Sequence, residues 1–425
     1  MTVSRRMFLS SSAALCFAGC GGTRSASARS STRSGSAALC FAGCGGSSDS
    51  VDSELEANVN AVIDQAITDK RVVGAVVLVS RHGQVVYRRA AGLADREVGI
   101  AMRDDSIFRF ASLTKSITSV AAMQMIEQGQ LKLDDPVTKW LPYFKPALAD
   151  GSTPEIKVRH LLNHTAGVGY AASELPNGPY HQLNVSDGLD QPGLSLRDNL
   201  TRLAAAPLLF APGSRFQYGL SIDILGGVLE AVEGRRLREI LRSRVTGPLG
   251  LSDIDFGVSD MSRLTKPYAD GPTEPVAMDE PHALPRGQYA LVFSPSRILN
   301  PNSYDAGGAG MAGTAPQFLK FLEMIRLGGA PVLKPATVEI MAADQTGTQA
   351  QAQGPGWGFG YGWAVAVEPA LSESPQPAGT LQWGGGYGHK WFIDRKNELS
   401  VVILTNTARY GGGTFAELIR NSIYA

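Results

Sequence analysis

Phe108-Arg109-Phe110-Ala111-Ser112-Leu113-Thr114-Lys115 is the stretch from which the rest of the chain is read. It sets a serine and a lysine three residues apart. The run that follows, from Ser116 to Ile126, carries no charge, and Gly129 stands where a helix C-terminal glycine belongs. A helix apolar nearly all round is a core helix. Positions i and i+3 share a face, so the Lys115 amine is expected to reach the Ser112 hydroxyl. The Ser112 amide lies near the helix N-terminus, where free N–H groups favour developing negative charge. A nucleophile, a proton carrier and an oxyanion donor thus come from one turn. A Ser-x-x-Lys spacing is expected about once by chance in a chain of this composition, so its partners must decide.

The chain has 425 residues, with 39 Lys and Arg against 39 Asp and Glu. That length provides a sizeable core in one large domain or two intimate ones. The neutral balance gives no electrostatic case for nucleic acid. Residues 1–50 stand apart from the globular pattern that begins at Val51. Ser4-Arg5-Arg6-Met7-Phe8-Leu9 resembles a twin-arginine export signal of bacteria, with an apolar part too short to span a membrane. Phe17-Ala18-Gly19-Cys20 resembles a lipoprotein cleavage box and makes Cys20 the candidate lipidation site. These readings predict an exported protein, periplasmic or lipid-anchored at the membrane. Ser12 to Gly22 recurs letter for letter as Ser36 to Gly46, a local duplication that makes Cys44 a second candidate. The Ser/Arg-rich segment between the copies reads as a disordered linker. All four cysteines lie in the two copies, so the rest of the chain has no disulfide or cysteine metal site.

From Leu55 to Ile67 the apolar spacing is helical. Val72 to Val79 reads as a strand, His82-Gly83 as a turn, and Gln84 to Tyr87 as the returning strand. His160 and His164 are four apart on a helical pattern. They lack the following Glu and a third ligand, so packing is favoured over metal. Residues 170 to 300 are mainly helical by pattern, with helices at Ser195 to Ala206 and Ile222 to Val232. Tyr218 stands at the mouth of the second. A helix follows from Ala315 to Arg326. Strands are then expected at Trp363 to Val367, Thr380 to Trp383, Lys390 to Asp394 and Leu399 to Leu404, before a closing helix from Phe415 to Ile423. The prediction is an α/β (α+β) domain over 51–425. Its central antiparallel sheet draws on about 51–110 and 300–425, with helices flanking it and a mainly helical region over about 111–299.

Ser112-x-x-Lys115, then Tyr218, then Trp383-Gly384-Gly385-Gly386-Tyr387-Gly388, in that order, resembles the family VIII carboxylesterases. These belong to the serine β-lactamase and penicillin-binding-protein superfamily, nearest its class C branch. His160 to Gly167, Pro212-Gly213-Ser214 and Leu404 to Thr407 support the likeness, which spans roughly residues 55 to 425. Two departures from class C match the esterases: Leu220 replaces an asparagine, and Trp383-Gly384-Gly385 replaces a Lys-Thr-Gly strand. The resemblance implies a β-lactamase/transpeptidase-like fold. It implies a small-molecule ester substrate and hydrolysis of short-chain acyl esters through a Ser112 acyl-enzyme, with no cofactor and no metal. Ser112 would be the nucleophile, Lys115 the relay and Tyr218 the proton shuttle to the leaving alkoxide, the last two acting as a coupled pair. The backbone amides of Ser112 and Gly386 would hold the oxyanion. Trp383, Gly384, Gly385 and Tyr387 would contact substrate. A β-lactamase or DD-peptidase is the alternative, and an acyltransferase or a non-turnover penicillin-recognising module a further one. His389 and Asp394 invite a Ser-His-Asp triad, but no G-x-S-x-G turn exists, since Ser195, Ser221 and Ser259 each miss one glycine. The sequence leaves the natural ester and the oligomeric state open.

Overall fold

The computed structural model describes residues 48–190, 193–286 and 289–425. The twin arginine, Cys20 and both copies of the repeat lie outside the described residues.

An eight-stranded antiparallel sheet joins the two ends of the domain. Its order is Trp357–Phe359, Ala364–Ala366, Leu381–Gly385, His389–Asp394, Leu399–Thr405, Gly74–Arg81, Gln84–Asp95 and Ile100–Ala101. The junction pairs the N-terminal strand with the last one, Val77 opposite Ile403. His82 and Gly83 turn the first hairpin with φ of 52° and 79°. Two successive left-handed residues match the twist of the flanking strands.

Strand Gly74–Arg81 is apolar without alternation because both its faces are covered. Val76 and Leu78 face a core shared with helices Thr114–Glu127, Ser221–Glu233 and Ala315–Arg326. Ala75, Val77 and Val79 face helices Ser48–Thr68 and Ala416–Tyr424, through Leu55, Val59 and Ile63 of the first and Ile419 and Ile423 of the second. The expected architecture of a sheet with helices on its faces, and a mainly helical region beside it, is the one observed. Ser195 caps helix Leu196–Ala205 by accepting from Asp198 N at 3.1 Å, and Gly234 ends Ser221–Glu233 at φ 68°.

Two parts differ from the sequence reading. The single strand expected at Trp363 to Val367 is half of a hairpin, because Gly362, at φ 110°, turns the chain between Trp357–Phe359 and Ala364–Ala366. The region read as helical contains a hairpin, His282–Arg286 with Tyr289–Phe293. Pro285 inside its first strand hides the strand signal.

Candidate active site

The Ser112 turn is held by two strands. Phe108–Arg109 pairs with Ala312–Gly313, and Phe110 N donates to Met311 O at 2.8 Å. The chain then turns sharply, with Ala111 in the left-handed region at φ 46°. A side chain there costs about 1–2 kcal/mol, so the neighbouring contacts must impose it. The 3-10 turn Ala111–Leu113 follows and runs into helix Thr114–Glu127. Strand Leu381–Gly385 lies directly against this turn: a Cβ on Gly385 would sit 2.3 Å from Phe110 O. Only glycine permits that approach.

Every residue from Thr114 to Met125 is buried, Lys115 included. A buried ammonium needs acceptors placed around it and negative potential nearby. Lys115 Nζ donates to Gly308 O at 2.6 Å and to Ser112 Oγ at 3.2 Å. It also lies 4.8 Å from the Tyr218 ring centre and 5.5 Å from that of Tyr170. Asp223, fully buried on helix Ser221–Glu233, accepts from Gly308 N at 3.1 Å. Burial pushes its carboxyl above the usual range, against the pull of the Lys115 charge. A Cβ on Gly308 would meet Asp223 Oδ2 at 2.3 Å and Lys115 Nζ at 3.3 Å, so this glycine is the spacer between them.

Tyr218 completes the centre. Its hydroxyl is 2.6 Å from Ser112 Oγ and accepts from Trp383 Nε1 at 3.3 Å. The Trp383 and Tyr218 rings are 5.0 Å apart. Trp383 therefore orients the phenol as well as walling the pocket. His164, whose ring is 4.8 Å from that of Tyr218, is fully buried, and burial and then Lys115 hold it neutral. His164 is thus packing beneath the tyrosine. His160 instead accepts from Lys157 N at 3.2 Å. Among the described residues no three metal-binding side chains cluster.

A cavity of about 390 Å³ opens over Ser112. Tyr218, Trp383, Gly384, Gly385 and Gly386 line it as expected, so the Ser112 and Gly386 backbones share one space. Tyr387 does not line it. Tyr387 sits in the turn that follows strand Leu381–Gly385, and its ring is directed into the protein, where it packs on Phe293 at 4.7 Å and lines a separate small cavity beside Arg109. His389 does line the pocket, but its Nε2 faces Arg109 O at 2.8 Å. A carbonyl only accepts, so Nε2 carries the proton. Burial lowers His389 to about 4. Asp394, at the far end of the same strand, accepts from Asn397 Nδ2 and the Tyr424 hydroxyl. No Ser-His-Asp triad is assembled.

Among the pocket and relay residues not singled out from sequence are Tyr170, Asp223, Gln353 and Lys390. Asp223 left a trace, a lone acid in the apolar run Ser221-Ile222-Asp223-Ile224-Leu225. The others depend on contacts between distant segments. Lys390 brings a cation to this wall from the adjacent strand, His389–Asp394.

A family model described as Beta-lactamase matches residues 59–420. The chain belongs to that family. Esterase EstB of Burkholderia gladioli is 48% identical over 378 residues, which cover 88% of this chain and 96% of that protein. The solved structure of EstCE1, a hydrolase with promiscuous acyltransferase activity, superposes with a TM-score of 0.86. It is 46% identical and covers 88% of this chain and 99% of that one. Simvastatin synthase of Aspergillus terreus, at 21% identity and a TM-score of 0.69 over 88% of this chain and 97% of its own, shares the fold. Within the β-lactamase family this chain is a serine hydrolase of the family VIII esterase type, and it hydrolyses esters.

Proposed function

We propose that this β-lactamase-family esterase cleaves short-chain acyl esters of small molecules through an acyl-enzyme on Ser112. The carrying observation is Ser112 Oγ standing 2.6 Å from the Tyr218 hydroxyl and 3.2 Å from Lys115 Nζ. Those are hydrogen-bond distances from the groups that must take and return its proton. Ser112 attacks the carbonyl while its proton passes to the Lys115–Tyr218 pair. The Ser112 and Gly386 amides would hold the resulting oxyanion, each worth about 10²–10³ in rate. Tyr218 then protonates the departing alkoxide, and water repeats the sequence on the acyl-enzyme. The Trp383 N–H supports Tyr218 throughout, since an indole N–H only donates and stabilises charge gathering on the phenol oxygen.

A cavity of about 390 Å³ is near the lower end of ligand pockets, about 300–1,000 Å³, which favours a short acyl chain. Poor turnover of β-lactams follows from the leaving group, because an amide nitrogen needs more protonation than an alkoxide. Leu220, fully buried in the core, offers no amide for an acylamino side chain. The test compares kcat/KM for nitrophenyl butyrate, nitrophenyl palmitate and a chromogenic cephalosporin. A cephalosporin value at or above butyrate overturns the ester preference, and a palmitate optimum overturns the chain length. A phosphonate adduct anywhere but Ser112 overturns the nucleophile. Acyl transfer is a second reading, favoured by the likeness to EstCE1. It predicts that added alcohols outcompete water for the acyl group.

A further inference from the structure

The described pocket contains a cation that the ester chemistry above does not use. Lys390 is the register partner of Gly384, on strand His389–Asp394. Because Gly384 has no side chain, the lysine stem lies over the bare strand, its Cδ 3.5 Å from where a Gly384 Cβ would be. Lys390 lines the same cavity as Ser112, and its Nζ donates to Gln353 Oε1, on the facing loop. Gln353 is steadied by Gln382 Nε2 at 3.4 Å. Arg420 and Glu417, on closing helix Ala416–Tyr424, are near enough for their charges to act on Lys390 in opposite senses. Among the described residues the Arg420 guanidinium bonds only the neutral Asn421 Oδ1, at 3.1 and 3.0 Å. Neither Lys390 nor Arg420 forms an ion pair among the described residues.

A half-buried ammonium without an ion-pair partner gains from a ligand that supplies one. Burial, reinforced by Arg420 and opposed by Glu417, lowers Lys390 to about 8, which leaves it mostly charged at neutral pH. An ammonium has three donors, and one neutral amide occupies only one of them.

We propose that Lys390 receives a carboxylate carried by the alcohol part of the ester, so that the preferred substrates are acylated hydroxy acids. The inference rests on the esterase reading and deepens it. The end of the pocket is assigned by the strand. Trp383 holds the Tyr218 hydroxyl, which serves the leaving alkoxide, and Gly386 lies at the oxyanion end. Gly384 follows Trp383, so an alcohol arm leaving toward Tyr218 passes over Gly384 to Lys390.

The experiment measures kcat/KM for 4-butyryloxybenzoate and for its uncharged methyl ester, in wild type, Lys390→Met and Lys390→Arg. A charge-assisted contact of this kind is worth about tenfold or more. The carboxylate-to-methyl-ester ratio should fall by about that factor in Lys390→Met and recover in Lys390→Arg. The ratio for nitrophenyl hemiglutarate over nitrophenyl butyrate, with the charge on the acyl arm, should stay within about twofold. Taking a ratio within one variant cancels any general loss of activity, and Lys390→Gln replaces a Met variant that fails to fold. An unchanged benzoate ratio overturns the proposal, and so does a fall confined to the hemiglutarate ratio. If wild type hydrolyses none of these esters, the esterase reading itself falls, and the proposal falls with it.

Discussion

Ser112 Oγ is shared by two proton carriers, and Lys115 and Tyr218 are themselves in contact through the 4.8 Å approach of the ammonium to the ring. Groups that act as one unit lose their function together. Tyr218→Phe and Lys115→Ala should each lower kcat by several orders of magnitude, on the order of 10³-fold or more, and the double variant should be little worse than either. Stopped-flow or steady-state assays on the four proteins decide this. Losses that multiply fully would mean that the two act independently.

The element that sets the site is strand Leu381–Gly385, pressed against the nucleophile turn at Gly385. A Cβ there meets the Phe110 carbonyl at 2.3 Å, a backbone atom that cannot rotate aside. Gly385→Ala should push the strand off the turn and separate the Ser112 and Gly386 amides. Overpacking of this kind costs about 1–3 kcal/mol of stability. We expect kcat to fall by about 10²-fold, as for a lost oxyanion donor, with a smaller change in KM. Thermal unfolding and kinetics on the same preparation separate the two effects. Full kcat with only a lowered Tm would remove the strand from the catalytic geometry.

At the scale of the whole molecule, buried titratable groups couple the fold to pH. His389 has its pKa lowered by burial from 6.5 to about 4, so the unfolded chain binds its proton first. Stability from this group is complete above pH 6.5 and is lost as pH falls toward 4, roughly 3 kcal/mol in all. Asp187 runs the other way. Burial raises it from 3.8 to about 7 although it accepts from Ala171 and Ala172 N, so its contribution is present in acid and is lost as pH rises through that window. The two offset each other in wild type between pH 4 and 6.5. Urea unfolding should show His389→Gln gaining stability toward acid relative to wild type, and Asp187→Asn losing it. Parallel profiles for all three would contradict the assignment. The N-terminal segment makes a separate prediction. We propose export by the twin arginine and attachment through Cys20. Cys20→Ala should then move the protein from the membrane fraction to the soluble one in a bacterium that processes such signals, and a wholly cytosolic wild type would exclude export.

Several elements were legible locally. The uncharged run after Lys115 is a core helix because nothing in it prefers water. The apolar strands Gly74–Arg81 and Leu399–Thr405 are buried on both faces, and turn residues such as His82-Gly83 mark their own conformations. The order of Ser112, Lys115, Tyr218 and Trp383 likewise indicated the family, since that chemistry tolerates few substitutes. Contacts between segments hundreds of residues apart leave no periodicity. Only the folded chain places Asp223 against Gly308 and Lys115, or turns Tyr387 into Phe293 and out of the pocket. It also carries Lys390 across to Gly384. Periodicity reports which side of its own element a residue occupies. Sheet register and the approach of neighbouring strands decide what it meets there.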